Sequence, residues 1–137
     1  MSIIQQLCME DSLKSAAEEV FNGLGVGFTE SVYHRAMHVE LSSRGIMFSS
    51  EGSIPVFYRG APVGRRHPDL FLFPEDGKTV VVELKAGSKS GKSQLLQYLD
   101  MTQKDSNFND IIGGAVIRFN DVLEFEYIDL SEEEDDD

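Results

Sequence analysis

Apolar positions along the chain follow a helical rhythm first and a strand rhythm afterwards. Leu13, Ala16, Ala17, Val20, Phe21 and Leu24 recur at three- and four-residue spacing, which lines one face of an α-helix. Asp11 stands where it would cap that helix, and Gly23 and Gly25 where they would end it. A second helix is predicted over residues 30–44, stopped by Gly45. Then the period shortens. Residues 46–48, 54–58, 63–66, 70–73 and 79–84 are short, rich in β-branched and aromatic side chains, and separated by Gly/Pro turns, which is how strands read. A helix follows over 91–103, and 114–119 with 122–128 makes a hairpin around Asn120 and Asp121. The order ααββββαββ, with one further short strand in the β run, predicts an α/β (α+β) sandwich: a mixed central β-sheet flanked by helices.

Length and composition narrow the class. The chain has 137 residues, enough to bury a core without disulfides or structural metals. One domain is expected over residues 1–128. A single cysteine, Cys8, excludes an internal disulfide framework and a four-cysteine cluster. No run approaches the length of a membrane span, and the start MSIIQQLCMEDS lacks the basic segment and cleavage site of a secretory signal. The expected setting is therefore intracellular, cytoplasmic or nuclear, with no secretion and no membrane.

A net charge of −12 argues against nucleic-acid binding until its distribution is considered. Half of it lies in the final EEEDDD. That block of like charges has no apolar partner to repay its ordering entropy, and residues 129–137 are expected to be a disordered tail. Between Arg59 and Lys104, eight bases face five acids, so the middle of the chain is cationic.

The stretch PDLFLFPEDGKTVVVELK carries the chemistry. If its turn is centred on Asp76, Phe73 faces Thr79, Phe71 faces Val81 and Asp69 faces Glu83. Alternation then puts Asp69, Glu83 and Lys85 on one face. Like charges across a strand pair repel, and a hard divalent cation between them would relieve this. Such a cation beside a lysine suits phosphodiester hydrolysis. A solvated hairpin in which Lys85 neutralises its neighbours is the plainer account of the same residues.

Two other patterns compete. Residues 86–93, AGSKSGKS, resemble a relaxed P-loop, but Ala86 replaces the first glycine and only 44 residues follow Ser93, too few for the usual parallel units. VELK alternates in polarity, where a P-loop strand is expected to be buried on both faces. The loop still suits phosphate at a helix N-terminus. Glu30, His34 and His38 share a helix face and invite a zinc site, though no fourth ligand is evident. Glu30 and Tyr33 also have a local explanation: Thr29 caps the helix, and Phe28 and Tyr33 occupy its staple positions.

With these residues in view, HPDLFLF…VVVELKA resembles the second and third motifs of the PD-(D/E)XK nuclease superfamily. GFTESVY, with Gly27, Glu30 and Tyr33, resembles the G-x-x-E-x-x-Y signature of one small family within it. QLLQYL places Gln94 and Tyr98 in the Q-x-x-x-Y spacing of the RecB and lambda-exonuclease branches. The likeness covers about residues 13–119. It implies a restriction-endonuclease-like core and a metal-dependent nuclease acting on DNA with Mg2+ or Mn2+. Asp69 and Glu83 would be the metal ligands, with the Leu84 carbonyl a third and Glu30 pointing toward the metal or its waters. Lys85 would orient the attacking water, Gln94 would position Lys85 or the DNA backbone, and Tyr98 would pack or stack beneath. Arg65, Arg66, His67, Lys89, Lys92 and Tyr98 are the expected contacts to DNA. So small a chain suits branched DNA or free ends; a homodimer and a targeting protein partner are both compatible with it. The rival expectation is a catalytically silent module that keeps the fold for nucleic-acid or protein binding.

Overall fold

The computed structural model describes residues 9–75, 77–87, 90–103 and 111–130. Cys8, Asp76, Lys89, Lys104 and the EEEDDD segment lie outside the described residues. The apolar stripe forms α1, Met9–Leu24, and buries Leu13, Ala16, Ala17 and Val20. Asp11 is not its cap: the helix already runs at Met9, so Asp11 sits in the first turn, where a carboxylate favours the helix dipole. Gly25, at φ 82°, ends it, and its N–H donates to the Phe21 carbonyl at 2.8 Å. The second helix, α2, spans Glu30–Ser43 and is closed by Gly45 at φ 73°.

Seven strands follow: β1 Phe48–Ser49, β2 Ile54–Tyr58, β3 Ala61–Arg66, β4 Leu70–Glu75, β5 Lys78–Ala86, β6 Ile111–Phe119 and β7 Leu123–Asp129, with α3 Lys92–Gln103 between β5 and β6. Five of them form a mixed sheet in the order β1-β4-β5-β6-β7, and β2 and β3 pair apart as a two-stranded ribbon. β5 and β6 are parallel and joined through α3, so that helix must cross one face. β7 reaches Asp129, and the Leu130 N–H donates to the Ile112 carbonyl at 2.8 Å. The sheet thus extends into the first residues of the segment expected to be tail.

Strand alternation divides the core. Val80, Val82 and Leu84 face α1 and α2, among Leu13, Tyr33, Met37 and Leu41. Val81 and Val116 face α3, among Leu95, Tyr98 and Leu99, with Ile54 from the ribbon's base. The centre of β5 is buried on both faces, Glu83 included. The polar alternation of VELK therefore marks a carboxylate inside the fold rather than a solvated face. Gly114 lets α3 settle: a Cβ there would stand 2.8 Å from Leu95 Cδ1, closer than packed atoms come. No described helix is long and apolar enough to cross a membrane.

Candidate active site

The β4–β5 hairpin sets the site. Leu70 pairs with Val82, Phe71 with Val81 and Leu72 with Val80, the register expected from a turn centred on Asp76. Nearer the tip the register slips, and Glu75 meets Lys78 rather than Phe73 meeting Thr79. Two residues of β4, Phe73 and Pro74, then oppose one of β5, which is a bulge. Pro74 has no N–H to donate there. The slip stays at the tip and leaves the other end in phase.

Asp69 lies in the bend just before β4. Its Oδ2 accepts the Leu84 N–H at 2.7 Å, and its own N–H donates to Glu83 Oε1 at 3.4 Å. Lys85 Nζ stands 3.4 Å from Glu83 Oε2, with side chains 13% and 5% exposed. Asp69, Glu83 and Lys85 thus gather at one place, on the α3 side of the sheet. Burial and then the Asp69 charge push the Glu83 carboxyl up to about 7, against the pull of Lys85. Burial also raises Asp69; the Leu84 N–H and His34 pull it back, while the charge of Glu30 adds to the rise. Glu30, the first residue of α2, is therefore within electrostatic reach of the pair.

The turn that delivers Glu30 has identifiable causes. Gly27 takes φ 97°, a conformation that a residue with a Cβ resists. Phe28 and Tyr33 meet edge-on at 6.1 Å, as the staple requires. Thr29 is the N-cap by position but makes no side-chain capping bond. Tyr33 stacks on Phe119 at 4.3 Å and donates its hydroxyl to the Gly25 carbonyl at 2.6 Å. Tyr33 is a packing residue. His34 Nε2–H donates to the Asp69 carbonyl at 3.2 Å, tying α2 to the bend that holds the carboxylate. His38 packs against His34 and Phe48, and its Nε2 is buried without a partner among the described residues. The zinc arrangement is not formed.

Other expected residues are placed less uniformly. Arg65 is exposed, with Nε on Ser53 Oγ at 2.7 Å. Arg66 donates to Gln97 Oε1 at 2.8 Å and lies 5.6 Å above the Tyr98 ring. Tyr98 itself is only 3% exposed, which corrects its expected DNA contact: it is the floor under Arg66. Burial and the nearby Glu83 charge raise its hydroxyl pKa, opposed by Arg66. His67 is exposed. Lys92 Nζ pairs with Glu126 at 3.4 Å. Gln94 is half-buried in the first turn of α3. Lys89 is outside the described residues.

Sequence reading missed what seats Lys85. Gly91, at φ 74°, has no side chain where a Cβ would stand 2.9 Å from Lys85 Cγ. The glycine that resembles part of a P-loop makes room for the lysine stem. Beside it, Arg118 pairs in register with Lys85. Its guanidinium binds the Ser90 carbonyl at 2.8 Å, Glu124 at 2.7 Å and Glu126 at 3.3 Å. The signal was the Arg118–Glu124 pairing across the last hairpin, which a two-residue Asn120-Asp121 turn does not give. That turn would set Arg118 opposite Leu123, and the observed register needs the three-residue turn Asn120 to Val122.

Among the described residues, no three His, Cys, Asp or Glu side chains are grouped to hold a metal ion. Two carboxylates suffice for Mg2+, which is commonly held by one or two, with water and substrate phosphate completing its shell. The mutual repulsion that lifts Glu83 is what a divalent cation would relieve, so the donor set fits.

A family model described as PD-(D/E)XK nuclease superfamily matches residues 8–127. No curated protein matches the chain. A solved structure described as the crystal structure of SSO0001 is similar at a TM-score of 0.52 and 15% identity, covering 90% of this chain and 78% of that one. At that identity the likeness concerns the fold alone.

Proposed function

Since the chain belongs to the PD-(D/E)XK nuclease superfamily, we propose that it hydrolyses DNA phosphodiester bonds with Mg2+ or Mn2+, acting on branched DNA or at ends. The carrying observation is the convergence of two repelling carboxylates and one ammonium, with Lys85 Nζ 3.4 Å from Glu83 and Glu83 raised to about 7. Asp69, Glu83 and the Leu84 carbonyl would hold the cation, with Glu30 facing it across the helix start. When bound, the cation supplies Lewis-acid stabilisation of charge on the scissile phosphate. Lys85 orients the attacking water and stabilises the negative charge that grows on the phosphoryl oxygens. Gly91, against its stem, fixes where the ammonium sits. Arg65, Arg66, His67, Lys89 and Lys92 take the flanking phosphates. Gly27, Glu30 and Tyr33 support membership of the G-x-x-E-x-x-Y family.

The net charge of −12 favours a second reading, a silent module that binds through a protein partner. A cleavage assay separates the two. Wild type, Asp69→Ala and Glu83→Ala are each given linear, single-stranded and junction DNA with Mg2+ or Mn2+. The nuclease reading expects wild-type cleavage reduced at least about a hundred-fold by either substitution. Inertness of the wild type on every substrate overturns it.

A further inference from the structure

The β2–β3 ribbon stands apart from the main sheet and is bare on both faces over most of its length. Phe57 is 53% exposed, Tyr58 64% and Val63 61%, and every residue from Phe57 to Arg65 is exposed. Adjacent strand residues point to opposite faces, so each face of the ribbon carries one uncovered ring. Exposed aromatics on a small two-stranded element ask for a partner.

Its chemistry identifies that partner. Residues 54–66 hold Arg59, Arg65 and Arg66 and not one carboxylate, in a chain of net charge −12. Arg59 holds its guanidinium 5.6 Å from the Tyr58 ring and makes no ion pair among the described residues. Arg65 is bonded to a serine and Arg66 to a glutamine, so the three cations are not neutralised within the described fold. A second copy would bring three more arginines to the contact and repel. Pro55 and Pro62 also withhold N–H donors that edge-to-edge strand pairing would use. A polyanion with flat, unsatisfied faces suits the ribbon.

Position agrees with chemistry. The base of β3 is Arg66, over Tyr98, and three residues later the chain reaches Asp69. The tip is then at most about 30 Å of extended chain from the carboxylates, within about nine base pairs of B-DNA.

Resting on the nuclease reading above, we propose that the ribbon is the grip for unpaired bases of the substrate: Phe57 and Tyr58 stack on single-stranded bases, and Arg59 and Arg65 hold the adjoining phosphates. The test is anisotropy with labelled single-stranded, frayed-end and blunt duplex DNA, in EDTA so that no cleavage occurs. Phe57→Ala/Tyr58→Ala is expected to weaken the first two at least about ten-fold and blunt duplex far less, with the melting temperature unchanged. Phe57→Trp/Tyr58→Trp should restore binding, which a folding defect would not predict. Arg59→Gln should lower the salt slope on all three DNAs by about one. Unchanged single-strand affinity in the double alanine variant overturns the proposal, and so does a shift from dimer to monomer with DNA binding intact. If that variant binds normally while wild type still cleaves, the ribbon assignment fails and the nuclease reading stands; a wild type that neither binds nor cleaves defeats both.

Discussion

Glu83 is the residue on which the chemistry and the stability of this fold meet. Its side chain is 5% exposed, yet its neighbour Asp69 is also an acid, so the fold holds the Glu83 proton until about pH 7. The unfolded chain releases that proton near 4.5. Between those values the folded state binds more protons, so metal-free stability should fall as pH rises from about 4.5 to 7 and level off above. The gap corresponds to about 3 kcal/mol, and Asp69, also raised, acts in the same sense. Urea unfolding at pH 5 and pH 8 measures the loss. Glu83→Gln should flatten it; an equal slope in that variant would mean the titrating group is elsewhere. The acid pair and the lysine were legible in sequence because a hairpin converts spacing into a shared face. The burial of Tyr98 was not, because Q-x-x-x-Y says nothing of the arginine that covers it.

At the scale of elements, β5 and α3 act as one device. β5 carries Glu83 and Lys85, and the loop into α3 returns Gly91 against the lysine stem. Gly91→Ala would meet Lys85 Cγ at 2.9 Å at a backbone angle of φ +74°. It should cost about 1–2 kcal/mol in left-handed backbone strain and push the ammonium off its seat. The expected signature is a cleavage rate reduced at least about ten-fold under conditions where the variant remains folded. A melting loss with unchanged rate would show that the seat does not position Lys85. Strand positions were readable because period-two patterns were bounded by Gly and Pro. Whether all strands joined one sheet was not: β2 and β3 read like any other pair, and their separation rests on long-range pairing that local pattern does not encode. Asp11 misled for a related reason, since the helix begins upstream of the stripe's first apolar residue.

The whole molecule places its charges unevenly, with a cationic middle and acidic residues toward the end of the sequence. Around Asp69 and Glu83 the fold has accepted repulsion that its core packing must carry. A divalent cation binding the native state alone would relieve that load and stabilise the entire domain by mass action. Lys85, two residues from Glu83 on the same strand, offsets only part of it. The most direct measurement is a Mn2+ titration at pH 8, followed by calorimetry and by melting temperature, for wild type, Asp69→Ala and Glu83→Ala. One site per chain and a rising melting temperature in wild type, both lost in each variant, is the predicted result; no binding in wild type, or equal binding in all three proteins, would contradict it.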